Sequence, residues 1–296
     1  MSDRHPTLLL EVVIVSYGAW QLLDTCLRSL HEHGPTAGGM EVHVIDNASP
    51  DDTPDRVAAA YPGVQLHRLD RNTGFSRANN VILSAARTPY VLVLNPDTEL
   101  RAGVLDHLLA GLREHPEVGM VGPRLIQPDG TFDHAAKRSF PTPTAALAHF
   151  TGIGRRAGTG KRLGQYRATQ LDEHDAGPVD AINGAFMLVR REALAEVGGF
   201  DEGYWLYMED LDWCARFWER GWGVRYDGTV TAIHVKGGTA GVHRAFRQNL
   251  HFHRGMGRFY RRHQAGHRPL VDLLVYVAIG LKLAVSATRS AVARRR

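Results

Sequence analysis

Two acidic stretches of this chain have residue types and spacing suited to chemistry. In Tyr90-Val91-Leu92-Val93-Leu94-Asn95-Pro96-Asp97-Thr98-Glu99, an apolar run stops at a proline followed by acids. Five consecutive apolar or aromatic residues read as a strand buried on both faces, and Pro96 ends it by removing a ladder donor. Asp97 is then presented at a strand's carboxyl end, the rim where open α/β sheets bind ligands. A carboxylate fixed there can hold a divalent metal against a phosphate. An Asx turn made by Asn95 and Asp97 is the structural alternative. In the second stretch, Phe200 to Trp213, the aromatics Tyr204, Trp205 and Tyr207 precede Glu209, Asp210 and Asp212. Like charges crowded beside aromatic surface raise a carboxylate's pKa toward that of a general base. The same acids also suit the first turn of a helix, where the dipole favours negative charge.

Other polar residues stand just after apolar runs, at Ser16, Asp46 and Asn72. Each also suits a helix cap or a turn. Gly74 precedes a helical stretch, where a glycine lets the backbone approach a phosphate and the helix N-terminus supplies donors, with Arg77 adding a charge. A glycine needed only for its backbone dihedrals fits equally. His234 is either a metal ligand completing the Asp97 site or a buried histidine satisfied by backbone. No G-x-G-x-x-G fingerprint or G-x-x-x-x-G-K-[ST] loop stands at a strand end, which argues against a dinucleotide dehydrogenase and a P-loop enzyme.

The elements that must position these residues alternate. Strands are predicted at Val12–Ile45 in two runs, Val12 to Val15 and Val42 to Ile45, then at Val64 to Leu69 and Tyr90 to Leu94. Helices are expected over Trp20 to Leu30, for about ten residues after Thr53, and over Ser76 to Ala86. Strand–helix alternation indicates βαβ units and a parallel sheet whose carboxyl edge collects Ser16, Asp46, Asn72 and Asp97. Beyond it come a helix over 101–114, strands at Val118 to Val121, Val179 to Val189, Val224 to Tyr226 and Val230 to Val235, and helices over Arg191 to Val197 and from the acids to Arg220. From about Gln127 to Gly177 the periodicity weakens, as in a lid, a binding loop or a surface insertion.

The chain is long enough for a sizeable core, and its two isolated cysteines, Cys26 and Cys214, support neither a disulfide framework nor a zinc cluster. With no targeting segment visible, a cytoplasmic protein is expected. Residues 241–296 hold twelve Lys/Arg and one acid, Asp272, which leaves the tail at +11 and residues 1–240 at −7. An acidic body excludes a basic nucleic-acid-binding core and assigns any anionic surface to the tail. The tail reads as a basic helix, Ala245 to His263, and an apolar one, Leu270 to Ser286. The uncharged run Leu273 to Leu281 is too short to span a bilayer, so the apolar helix is expected to lie on the inner face of the cell membrane or to pack on protein, in this chain or in a homo-oligomer.

The pieces Val13-Ile14-Val15-Ser16-Tyr17, Val44-Ile45-Asp46-Asn47-Ala48-Ser49, Asn72 to Asn80, Leu94-Asn95-Pro96-Asp97, Asn183-Gly184-Ala185, Phe200-Asp201-Glu202, Glu209-Asp210-Leu211-Asp212 and His234 occur in one order. As an ordered set covering residues 11 to 240, they resemble glycosyltransferase family 2 and, within it, the rhamnosyltransferase-like branch. The resemblance implies a GT-A-like α/β fold, a mostly parallel central sheet flanked by helices. Its domain would span 1–240, with a nucleotide-sugar half over about 8–125 and an acceptor half over about 126–240, followed by the helical tail, 241–296. It implies an inverting, metal-dependent transferase. The donor would be a nucleotide-diphosphate sugar, dTDP-rhamnose by branch, met by Ser16, Tyr17, Asp46, Asn72, Gly74, Arg77, Asn95 and Asp97. Asp97 and His234 would hold Mg2+ or Mn2+, Asp210 would be the base, and Gly184, Trp205 and Glu209 would meet a glycan or polyprenyl-linked acceptor. Asn95 stands where the family's D-x-D element has its first acid. A nucleotidyltransferase and a non-catalytic sugar-binding or scaffold protein are the rival readings.

Overall fold

The structure, a computed structural model, describes residues 7–141, 171–235, 237, 246–266 and 268–293. The chain opens with β1 (Leu8–Ser16), α1 (Trp20–Glu32), β2 (Gly39–Asp46), α2 (Thr53–Ala60), β3 (Gln65–Arg68), α3 (Phe75–Leu83) and β4 (Tyr90–Leu94). Next come β5 (Thr98–Glu99), α4 (Val104–Glu114), β6 (Val118–Ile126), β7 (Lys137–Arg138), β8 (Ala176–Pro178), β9 (Ala181–Ile182) and β10 (Phe186–Arg190). The last described elements are α5 (Arg191–Val197), α6 (Glu209–Glu219), β11 (Gly223–His234), α7 (Phe246–His263) and α8 (Pro269–Ala293).

Nine strands form one sheet in the order β3-β2-β1-β4-β10-β6-β11-β5, with β8 also paired to β11, while β7 and β9 make a separate ribbon. The β3-β2-β1-β4 half is parallel. β10 enters antiparallel between β4 and β6, so the second half is mixed. All five residues of β4 are buried, as a central strand covered on both faces requires. Helices supply the cover: Leu23, Cys26, Leu27 and Leu30 of α1 and Leu105, Leu108, Leu109 and Leu112 of α4 recur every three or four residues, and all are buried.

Several expected elements change shape. The predicted strand from Val179 to Val189 is two strands, because the Asn183 Oδ1 accepts the Ala185 N–H (2.9 Å) and turns the chain between β9 and β10. β6 runs on through Pro123, since β10 pairs with it only at Met120 and Val121 and leaves that side open beyond. Val224 to Tyr226 and Val230 to Val235 belong to one strand, β11, which absorbs the polar residues between them in a register shift after Asp227. Of the loop expected over 127–177, residues 142–170 lie outside the described residues, and the flanks carry β7 and β8.

The two tail helices behave oppositely. The basic α7 docks on the α/β body: Arg258 holds Asp201 with two N–H groups (3.0 and 2.8 Å), and His263 bridges Asp212 (2.9 Å) and Glu219 (2.6 Å). The apolar α8 leaves Leu270, Leu273, Leu274, Tyr276, Val277, Leu281 and Val285 exposed. Its segment Pro269–Thr288 is long and apolar enough, by length and composition, to cross a membrane. The uncharged run Leu273 to Leu281 lies within it, and Asp272 before that run accepts from the Tyr260 hydroxyl (2.6 Å) and Gly266 N–H (3.1 Å).

Candidate active site

β1 and β2 end in register, with Ser16 opposite Asp46, and β4 ends two pairs earlier, with Leu94 opposite Ile14. One sheet edge therefore carries Ser16, Asp46 and the Asn95–Asp97 turn. Ser16 is fully buried and donates to Gly18 O (3.1 Å). Asp46 is also buried; its Oδ2 accepts from Ser49 N (3.2 Å), while Oδ1 has no hydrogen-bond partner among the described residues. A buried, unsatisfied carboxylate oxygen is costly and marks a place for a donor group of a ligand. Tyr17 stands half exposed at the rim. Asn47 ties the edge together, donating to Asn72 Oδ1 (3.2 Å) and Gly74 O (3.2 Å) and accepting from Thr73 N (2.8 Å).

The structure gives Gly74 a different use from a phosphate cradle. Its φ is +85°, and a Cβ there would lie 2.5 Å from the Trp205 carbonyl. The Gly74 N–H goes to Asn72 Oδ1 (3.0 Å) and the Phe75 N–H to Trp205 O (2.8 Å), so two of the donors at this helix start are occupied. Arg77 turns to the surface and pairs with Glu202 (2.9 Å) instead of joining Ser16 and Asp46.

On the metal side, the Asn95 carbonyl accepts the Thr98 N–H (3.1 Å), so a backbone turn presents Asp97, which is 5% exposed. Short as it is, β5 pairs antiparallel with the end of β11, Thr98 opposite His234, and Val235 N donates to Asp97 O (2.9 Å). That register brings His234 Nε2 to 3.5 Å from Asp97 Oδ1. The other imidazole nitrogen, Nδ1, donates to Asp133 Oδ2 (3.2 Å). Burial works against the imidazolium, but the Asp133 and Asp97 carboxylates outweigh it and push His234 up to about 9. A carboxylate facing one imidazole nitrogen while a second carboxylate orients the other is an arrangement that could contribute ligands to a divalent cation. Among the described residues no cluster of three or more His, Cys, Asp or Glu side chains that could hold a metal occurs.

The acidic turn of α6 follows Tyr207 and Met208, both at positive φ (69° and 73°). Its three acids separate. Asp212 is fully buried and structural, held by Arg216 (2.9 Å) and His263 (2.9 Å); burial opposes its charge, but these cations keep its carboxyl below the usual range. Glu209 is buried with Oε2 unpartnered among the described residues. Burial and then the neighbouring Asp210 push it up to about 8. Asp210 Oδ2 accepts from Gly184 N (3.2 Å) and Arg138 Nη2 (2.5 Å). Gly184 thus meets Asp210 directly. Its neighbour Ala185 accepts from Asn95 N (2.9 Å), so the Asn183-Gly184-Ala185 turn touches both acidic centres.

The aromatics ahead of α6 are packing groups. Tyr204 is buried, Trp205 stacks on His251 of α7 (4.5 Å), and Tyr207 meets Phe252 edge-on (6.0 Å). Sequence reasoning missed Asp133 and Arg138, both in the aperiodic stretch after β6, and gave Asn47 no role of its own. Asp133's place next to a turn, Asp129-Gly130, is the only local signal either acid or cation carries.

The sequence pattern of glycosyl transferase family 2 matches residues 11–198. The chain belongs to that family. It is 32% identical over 244 residues to the N-acetylglucosaminyl-diphospho-decaprenol L-rhamnosyltransferase of Mycobacterium tuberculosis, covering 79% of this chain and 78% of the relative. To rhamnosyltransferase WbbL of Escherichia coli it is 45% identical over 171 residues, 54% of this chain and 60% of that one. Among solved structures, the mannosyltransferase PcManGT of Pyrobaculum calidifontis, in complex with GDP-Man and Mn2+, superposes with a TM-score of 0.57 at 20% identity, covering 98% of this chain and 74% of that one. S. aureus TarS 1–349, in complex with UDP-GlcNAc, gives 0.55 at 15% identity, covering 90% and 70%. This family 2 glycosyltransferase has the GT-A fold. Asp97 lies inside the matched span, whereas Asp210 and His234 lie beyond it.

Proposed function

We propose that this enzyme transfers rhamnose from dTDP-rhamnose, with inversion, to a polyprenyl-diphosphate-linked glycan. The observation that carries the reading is the Asn183-Gly184-Ala185 turn, which joins the Asp97–His234 pair to Asp210 through Ala185 O and Gly184 N. Similarity to two rhamnosyltransferases, one named for a decaprenyl-diphosphate acceptor, supports the sugar and the acceptor class.

In this reading Ser16, Tyr17, Asp46, Asn72 and Asn95 line the donor side, and Asp46 Oδ1 takes a donor group of the nucleoside. Asp97 and His234 hold Mg2+ or Mn2+, which would neutralise the departing diphosphate. Asp210 takes the proton of the acceptor hydroxyl. The acceptor oxygen bonds the anomeric carbon from the face opposite the diphosphate, whose C–O bond breaks and keeps its electron pair. One displacement inverts the centre. Buried Glu209 lines the base side in its neutral form. The tail extends the reading: α8, with its exposed leucines and the arginines of α7 beside it, rests on the anionic inner face of the cell membrane, near a lipid-linked acceptor.

The test is nucleoside-diphosphate release from a panel of nucleotide sugars, with Mg2+ or Mn2+, with and without N-acetylglucosaminyl-diphospho-prenol. Release of dTDP from dTDP-rhamnose, stimulated by the prenol, is expected. Release of a nucleoside monophosphate would favour a nucleotidyltransferase, and no release from any donor a non-catalytic protein.

A further inference from the structure

Arg138 has no part in the transfer as described, yet it is the cation on the base. It belongs to β7, which pairs antiparallel with β9, Arg138 opposite Ala181. Its Nη2 donates both to Ile182 O (2.7 Å) and to Asp210 Oδ2 (2.5 Å), with the two side chains 12% and 13% exposed. A carboxylate offers about four acceptor positions. On Asp210, Arg138 and Gly184 N fill those of Oδ2, and Leu211 N (2.8 Å) fills one on Oδ1. Among the described residues one position remains, on the oxygen that the guanidinium does not touch.

A neighbouring cation makes a carboxylate a weaker base in general, so basicity is not what a guanidinium contributes at such a place. Orientation is. Ile182 holds the guanidinium to the same ribbon whose next turn supplies the Gly184 N–H, so both donors to Oδ2 are fixed by one piece of backbone. A base aimed within a fraction of an ångström matters because misplacement by about 1 Å can cost roughly 10²-fold in rate.

We infer that Arg138 is the positioning residue for Asp210, pinning Oδ2 so that the remaining acceptor position of Oδ1 faces the acceptor hydroxyl. This rests on the reading of Asp210 as the base. A lysine cannot reproduce it in full, because both bonds leave one nitrogen of a rigid planar guanidinium, whereas an ammonium turns freely on its flexible stem.

The experiment is a double-mutant cycle of Arg138→Ala and Asp210→Asn, with Arg138→Lys beside it, in the full chain, using the nucleotide sugar from which the wild type releases diphosphate. Arg138→Ala is expected to lower kcat roughly 10²-fold with the donor KM within about twofold of wild type. Arg138→Lys should recover part of the loss. In the Asp210→Asn background, Arg138→Ala should cost almost nothing further, since it acts through the group already removed. Losses that multiply, or a raised donor KM at unchanged kcat, would overturn the inference while leaving the base reading intact. Full activity of Asp210→Asn would instead remove the base reading itself. Should Arg138→Ala fail to fold, Arg138→Lys decides: a selective fall in kcat supports the role, and wild-type kcat overturns it.

Discussion

Asp97 follows β4 at the edge of the sheet and Asp210 lies in the first turn of α6, and the surroundings of the two carboxylates differ in kind. Asp97 faces an imidazole that is itself oriented by a second carboxylate, Asp133. Asp210 faces a guanidinium and a backbone N–H, and its neighbour Glu209 is buried with no cation on Oε2 among the described residues. Partner chemistry separates the roles. An imidazole can surrender its proton and share a metal with the carboxylate opposite, whereas a guanidinium stays charged and can only hold a carboxylate in place.

The contrast can be broken most sharply at the base. Asp210→Asn keeps the size and most hydrogen bonds of the side chain but cannot take a proton, so kcat for transfer should fall by about 10²–10⁴. Steady-state diphosphate release measures it, and a fall below tenfold would contradict the assignment. On the metal side, Asp133→Asn leaves both ligands in place and removes only the carboxylate behind His234. Metal affinity, read as the Mn2+ concentration for half-maximal release, should weaken roughly 10- to 100-fold. Unchanged affinity would make Asp133 a mere packing acid.

The smallest effect belongs to Glu209, and its sign follows from linkage. A carboxyl pushed up to about 8 by burial binds its proton more tightly folded than unfolded. Its contribution to stability is complete below the unfolded value and is lost as pH rises through 8. Glu209→Gln cannot ionise, so its melting temperature should gain on wild type as pH rises from 5 to 9, by roughly 3 °C at the upper end. Thermal melts across that range check it, and a constant difference would place the carboxyl in an ionised environment.

Much of this arrangement was legible in the chain itself. Asp97 follows an apolar run and a proline, and Asp210 sits in the first turn of a helix, so local rules find both. His234 was found as a candidate, but its local sequence left ligand and buried histidine open. The pairing of β5 with the end of β11, 136 positions apart in register, decides what it faces. Arg138 and Asp133 could not be read, because each acts across 72 and 101 positions from a segment without periodicity. The stacking partner of Trp205 was out of reach for the same reason: His251 belongs to α7. Composition also misleads in the tail, where the charged helix is the docked one. Ion pairs with Asp201 and Asp212 hold α7 to the body, and the apolar α8 is left bare.

The central claim is that the two acidic centres divide the work, one holding the donor and the other activating the acceptor. Calorimetric titration of nucleoside diphosphate in the presence of Mn2+, on wild type, Asp97→Ala and Asp210→Asn, tests it most directly. The account predicts that Asp97→Ala loses at least about tenfold in metal-dependent affinity, while Asp210→Asn binds as the wild type does. Equal losses in both variants, or wild-type binding by Asp97→Ala, would contradict it.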